Sequence, residues 1–160
     1  MQRRSTLALD GMCSARNLPV VGAVAECQRA SLRSMLKVYL AELGAESEYP
    51  YFDLYWSEGG RYPYWIKLSD HIVGFALVRR AQGAIAEMAE FSVSKPWRRA
   101  GVGLAAARML FSAHPGPWKV RTFPLNEASE AFWQKAVPVD AQQTKDGQSS
   151  VFHFTVGANV

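Results

Sequence analysis

The sequence holds only two cysteines, Cys13 and Cys27. Two thiols are too few for a disulfide scaffold, and no Cys-x-x-Cys pair offers metal-ligand spacing. Both read as bystander thiols of a reducing cytoplasm. Long apolar runs are also missing. The longest nearly unbroken one, Leu18–Ala25, falls far short of the ~20 residues that span a bilayer as a helix, which excludes a transmembrane helix and predicts no membrane partner. Charge is sparse, at 20% of residues against 49% hydrophobic, so a disordered chain is excluded. Glycine and proline follow no repeat period, which excludes collagen-like and solenoid architectures. His71, His114 and His153 are scattered without ligand spacing and read as surface or turn residues rather than a metal site. Arg3 and Arg4 precede a short apolar stretch, but Asp10 and Arg16 interrupt any secretory core and argue against export.

What remains is a chain of 160 residues and 17.8 kDa. That is long enough to bury about 70% of its unfolded surface without staples. Residues 1–17 show no period and read as a flexible tail, and residues 18–157 read as one domain. The net charge of +4 is unevenly spread. From Val38 to Gly60 there is no Lys or Arg, but there are Glu42, Glu46, Glu48, Asp53 and Glu58. From Phe91 to Asn126 there is no acid, but there are Lys95, Arg98, Arg99, Arg108, Lys119 and Arg121. The first segment would welcome a cation and the second an anion.

Leu18–Ala25 reads as a first strand. Leu32, Met35, Leu36, Tyr39, Leu40 and Leu43 then form one helical stripe, with Gly44 as its stop. Glu46–Tyr62 is a loop rich in aromatics. It serves either as the wall of an acceptor site, where aromatics and acids would suit a cationic amine, or as a cover over the first helix. Tyr64–Leu68 and Ile72–Arg80 flank Ser69-Asp70 as a hairpin, and Ile85–Val93 is a further strand. A helix follows Gly103, with Val102, Ala105, Ala106, Met109 and Ala113 as its expected buried stripe. His114-Pro115-Gly116-Pro117 ends it. Trp118–Phe123 is a strand, Asn126 caps a helix reaching about Val137, and Val151–Val156 is the last strand. The order predicts a mixed α/β (α+β) class.

Arg98-x-x-Gly101-x-Gly103 sits between a strand and a helix. Glycines let backbone approach a ligand closely. The first N–H groups of a helix lack internal partners, and its dipole favours an anion there. Arg98 and Arg99 add charge-assisted donors. The arrangement suits a pyrophosphate. It is neither a dinucleotide fingerprint, since Ala106 stands at the third glycine position, nor a Walker A loop, since no Gly-Lys-Ser/Thr follows.

Glu90-Phe-Ser-Val93, four residues, then Arg98-x-x-Gly101-x-Gly103-Leu104 resembles motif A of the GNAT superfamily of N-acetyltransferases. Asn126-x-x-Ser129-x-x-Phe132-Trp133-x-Lys135 resembles that superfamily's next helix. Tyr49-Pro-Tyr-Phe-Asp-Leu-Tyr-Trp with Gly74-Phe-Ala-Leu-Val-Arg looks like a bacterial subgroup of predicted acetyltransferases. The resemblance implies a mixed, mostly antiparallel sheet with helices on both faces, splayed between Ile85–Val93 and Trp118–Phe123. It implies acetyl-CoA as co-substrate in the splay. The backbone of Phe91, Ser92 and Val93 would pair with pantetheine, and the amides of Arg99, Ala100, Gly101, Val102, Gly103 and Leu104 would take the pyrophosphate beside Arg98. Asn126 and Phe132 would line the pantetheine. The Val93 N–H would stabilise the oxyanion, and Glu87 or Glu90 would accept the amine's proton. Three positions apart, the two carboxylates point to opposite faces of a regular strand, and only a bulge would alter that.

The chain departs from the family pattern in two places, and one is the usual Gly-Phe after the helix that Asn126 caps, where Val137-Pro138 stands. Many relatives carry a Tyr general acid seven residues after the capping Asn, where this chain has Trp133, which cannot protonate a leaving thiolate. The resulting expectation is acetyl transfer to a small-molecule or peptide amine by a cytoplasmic monomer or homodimer. A non-catalytic acyl-CoA sensor on the same fold is the alternative. Nucleic-acid binding is not expected, because no aromatic stacking strip accompanies the basic residues.

Overall fold

The computed structural model describes residues 18–45 and 48–158. The tail expected at 1–17, Cys13 included, lies outside them. Within these residues, seven strands form one open sheet: β1 (Val20–Ala23), β2 (Arg61–Leu68), β3 (His71–Arg79), β4 (Ala86–Val93), β5 (Gly116–Arg121), β6 (Gln142–Asp146) and β7 (Ser149–Val156). Their order across the sheet is β1-β2-β3-β4-β5-β7-β6. Every pairing is antiparallel except β4 with β5, which is parallel and limited to Ala86↔Trp118 and Glu87↔Lys119. The sheet is therefore two antiparallel halves touching at one short seam and splayed beyond it, as the resemblance implied.

Among the described residues, three α-helices cover the sheet: α1 (Arg29–Glu42), α2 (Val102–Ala113) and α3 (Glu127–Ala136). Leu32, Leu36 and Leu40 recur on one face of α1 and are buried. They pack with Phe52 and Tyr55, from the single turn Phe52–Trp56, onto Trp65, Phe75 and Leu77 of the sheet. The aromatic loop therefore does form a cover over α1. Gly44, at φ +67°, stops the helix, and the N–H groups of Gly44 and Ala45 close onto the carbonyls of Ala41 and Leu40.

The opposite face carries α2 and α3 over Ala76, Val78, Met88, Trp118, Val120, Phe152 and Phe154. The buried stripe of α2 is Val102, Ala106, Ala107, Leu110 and Phe111, not the stripe through Ala105, Met109 and Ala113. The bulky Leu110 and Phe111 turn inward, and Ala113 is exposed. His114 is also not a surface residue. It is buried, with Nε2 2.7 Å from the Tyr64 hydroxyl, and burial, then Arg80, lowers its pKa. Strand β6 has no counterpart among the strands expected from the sequence. Its five residues are polar and exposed, so it carries no hydrophobic period. Among the described residues, no helix is long and apolar enough to cross a membrane.

Candidate active site in the splay

The pairing of β4 with β3 shifts by one residue between Leu77 and Val78: Leu77 pairs with Glu90, and Val78 with Met88. Ala89 is the extra residue of a β-bulge. Directly opposed residues in a ladder share a face. Glu87 pairs with Arg79 and Glu90 with Leu77, and Arg79 and Leu77 are two apart on β3. The bulge therefore brings both carboxylates to the α1 face, where a regular strand would separate them. Past the bulge, Phe91 and Val93 return to the α2 and α3 face. There Phe91 stacks on Phe132 at 5.6 Å between ring centroids, and Val93 packs near Val102 and Ala106.

The two carboxylates lie in different environments. Glu87 accepts from Arg79 at 2.7 Å and pairs with Lys119 at 2.8 Å, spanning β3, β4 and β5 at the seam. Burial raises its pKa, but the hydrogen bonds and charges of Lys119 and Arg79 outweigh burial and lower it overall. A carboxylate so held is a weak base. No cation among the described residues offsets the burial of Glu90. Burial raises its pKa, and a hydrogen bond from the Tyr39 hydroxyl opposes this only in part. Tyr39 itself sits edge-on against Phe75 at 5.5 Å. Burial, then Glu90, drives its hydroxyl pKa up. Tyr49 is raised in the same way, by burial, then by Tyr55 and Glu90.

The N–H of Ser94 donates to the carbonyl of Val73 at 2.7 Å. In an antiparallel ladder that bond flanks a non-hydrogen-bonded pair, here Gly74↔Val93. The backbone N–H and C=O groups of Val93, and of Phe91 two residues earlier, therefore point away from β3 and into the splay. The Val93 carbonyl accepts from Arg98 Nε at 2.7 Å, while its N–H faces the gap. Ser92 lies between them, bonded toward β3.

Arg98 also donates to Glu42 at 2.5 Å. Its guanidinium ties the end of β4 to the end of α1 rather than standing free for an anion. The donors at the next loop are backbone groups. Arg99 and Gly101 both have positive φ, +64° and +80°, and Ala100 lies exposed between them. The first intrahelical bond of α2 runs from Ala105 N–H to Gly101 C=O, and no side chain caps the helix. The N–H groups of Val102, Gly103 and Leu104 thus precede the helical ladder. At Gly103 a Cβ would sit 3.2 Å from the Phe132 ring and 3.4 Å from Val93. This glycine lets the first turn of α2 press against β4 and α3.

Asn126 caps α3 by accepting from the Ser129 N–H at 2.9 Å. It lines a cavity of about 470 Å³ with Glu42, Leu43 and Phe123–Glu127. A second cavity, of about 290 Å³, is lined by Glu87–Glu90 and by Lys119 and Arg121–Pro124. Phe123 and Pro124 line both, so the two adjoin along the splay. Trp133 is buried among Phe91, Phe111 and Phe132, and offers the gap no titratable group.

The acids of the first charge block do not form an open acidic wall. Asp53 is bonded by Arg29 and Arg33, Glu58 by Arg61, and Glu42 by Arg98. Cys27 is exposed and free, and the described residues hold no group of His, Cys, Asp or Glu able to take a metal.

Comparison with known proteins identifies the family and the fold. The model of the Acetyltransferase (GNAT) family matches residues 29–137. The chain belongs to the GNAT family. No curated protein matches it. Among solved structures, an acetyltransferase from Thermus thermophilus aligns with a TM-score of 0.71 at 15% identity, over 87% of this chain and 97% of that one. An aminoglycoside acetyltransferase in complex with coenzyme A aligns at 0.64 and 14%, over 86% and 94%. The ribosomal-protein-S18-alanine N-acetyltransferase from Escherichia coli aligns at 0.59 and 11%, over 89% and 97%. At these identities the likeness is one of fold.

Proposed function

We propose that this GNAT protein transfers the acetyl group of acetyl-CoA to an amine, with Glu90 receiving the amine's proton. The observation that carries the reading is the bulge at Ala89. It turns Glu90 into the cavity between β4 and β5 and leaves the Val93 N–H aimed at the same gap.

The residues present fit acetyl-CoA. The N–H groups at the start of α2 suit the pyrophosphate, with Arg99 and Gly101 shaping the loop. The open edge of β4 at Phe91 and Val93 suits the amides of pantetheine, paired as an added strand, with Phe132 and Asn126 beside it. Arg98 takes a positioning part, because its guanidinium is already spent on Val93 and Glu42. The co-substrate supplies a thioester carbonyl. Only a neutral amine attacks it, so a base on the acceptor side raises the reactive fraction. Glu90, with its pKa raised by burial, is better matched to that task than Glu87. The Val93 N–H would meet the negative charge that develops on the carbonyl oxygen. A thiolate is a good enough leaving group to depart with a proton from water, so Trp133 does not preclude turnover.

The test is free-thiol release from acetyl-CoA with a panel of amines, for the wild type and for Glu90→Gln. Acceptor-dependent release that falls in Glu90→Gln supports the reading. Tight binding of acetyl-CoA with no release for any amine would instead mark an acyl-CoA sensor.

A further inference from the structure

We propose that the acceptor is an amine carrying an anionic group, a carboxylate or phosphate, a few bonds from its nitrogen, and that Arg121 of β5 holds that anion. This rests on the reading of Glu90 as the group that takes the acceptor's proton.

Beyond the seam Glu87↔Lys119, β4 and β5 diverge. Two positions on along β5, on the face of Lys119, stands Arg121. Two ladder positions on along β4, on the face of Glu87, stands Glu90, because the bulge absorbs Ala89. Glu90 and Arg121 therefore occupy matching places on the two walls of the splay, and both line the same cavity of about 290 Å³. No hydrogen bond or ion pair joins these two described residues.

The charges on these walls are not equivalent. Lys119 is held by Glu87, which Arg79 also holds. Among the described residues, the ion-pair partner of Arg121 is Asp146, at the tip of the β6–β7 hairpin. Asp146 does not line the cavity, and its side chain is 62% exposed. An exposed ion pair of this kind is weak and exchanges readily. A guanidinium offers a carboxylate or phosphate two parallel bonds. The acids expected to welcome a purely cationic acceptor are each paired with arginine, apart from Glu46 outside the described residues and the exposed Glu48. The cavity thus offers one proton acceptor and, facing it, one cation with a replaceable partner. That pattern matches an amine and an anion on one small molecule.

The experiment measures kcat/KM on matched acceptors that differ only in the anion: serine against ethanolamine, phenylalanine against phenethylamine, and O-phosphoethanolamine against ethanolamine. A short peptide amide with Asp at its second position is a further arm, which separates a peptide source from a free small molecule. The expected result is a preference of about tenfold or more for the anionic member, expressed in KM. Arg121→Gln should collapse that ratio, Arg121→Lys should restore part of it, and Asp146→Asn, which removes the competing carboxylate, should raise it. Equal rates within each pair, or a preference that Arg121→Gln leaves intact, would overturn the proposal while leaving acetyl transfer standing. If no amine in the panel is acetylated, calorimetry of the CoA-saturated protein with N-acetylserine decides. Binding that Arg121→Gln abolishes supports the anion site, and no binding overturns it. Failure to bind CoA at all would instead remove the underlying reading of the site.

Discussion

Glu87 and Glu90 are the same residue type on one face of one strand, and their surroundings drive them apart. Replacing the base should lower kcat/KM by about 10²–10⁴-fold while leaving CoA affinity unchanged. Glu90→Gln is expected to do this, and Glu87→Gln is not. Steady-state kinetics beside calorimetric titration of CoA checks both. The acid limb of the wild-type rate profile should lie above the ordinary carboxylate range, because burial raises the pKa of Glu90, and Glu90→Gln should remove it. Tyr39→Phe should move that limb further up, since the lost hydroxyl favoured the charged form. The stability effects have opposite signs. Glu90 binds its proton more tightly folded than unfolded, so folding loses stability as pH rises from the usual carboxylate value through the raised one. Glu90→Gln should therefore melt higher than wild type at neutral pH while being slower. Glu87 is depressed, so its contribution is present above the usual value and is lost as pH falls through the lowered one. Its partners are well solvated, at 47% and 37% exposed, so Glu87→Gln should cost below about 1 kcal/mol. Melting curves across pH would separate the two carboxylates.

At the scale of the element, the first turn of α2 is shaped by two glycines for different reasons. Gly101 has open space around a built Cβ but sits at φ +80°, where a side chain costs about 1–2 kcal/mol. Gly103 has ordinary backbone but a tight fit, where a Cβ would press on the Phe132 ring and a branched side chain would press further. Gly101→Val and Gly103→Val should each weaken acetyl-CoA binding strongly. Arg108→Ala should leave binding near wild type, and its loss would be one of stability, since Arg108 donates to the Lys135 carbonyl at the end of α3. Titration calorimetry on the three variants, each checked by circular dichroism, makes the comparison. The same junction shows what the sequence can and cannot reveal. Gly-x-Gly before a helix, and Asn three residues before Ser129, are local signals, and both the loop and the cap are legible in them. The bulge at Ala89 is not, because it is fixed by the register of β4 against β3, and that register is a tertiary fact. The faces of Glu87 and Glu90 follow from it. β6 is illegible because it is an exposed edge strand without apolar alternation. The α2 stripe differs from the expected one because the bulky Leu110 and Phe111, rather than Met109 and Ala113, fill the space beside Trp118 and Phe154. The role of Arg98 is hidden as well, since its partner Glu42 is distant in sequence.

At the scale of the molecule, the sheet is two halves held at two residue pairs, with Glu87 bridging them between Arg79 and Lys119. The α2 and α3 face supplies one continuous core across the seam, through Met88, Trp118, Trp133 and Phe154, while the α1 face leaves the splay open. A ligand bound there would contact β4 on one side and the β5–α3 junction on the other, so it would stabilise the assembly of the halves as well as its own site. Anything that binds only the folded protein adds stability by mass action, about 2.7 kcal/mol when the free ligand stands at 100 times its Kd. For a chain of this length each kcal/mol moves the melting temperature by about 2–4 °C. Acetyl-CoA at that ratio should therefore raise Tm by roughly 5–10 °C. The rise should scale with the logarithm of concentration, and at equal concentration it should shrink in Gly101→Val. Hydrogen exchange supplies the spatial check. The amides of Phe91 and Val93 point into the splay, and those of Val102 to Leu104 lack helical partners, so these five should gain protection with acetyl-CoA, while Ser94, already bonded to Val73, should change little. A flat melting temperature together with unchanged exchange at Phe91 and Val93 would show that the splay is not where this protein meets CoA.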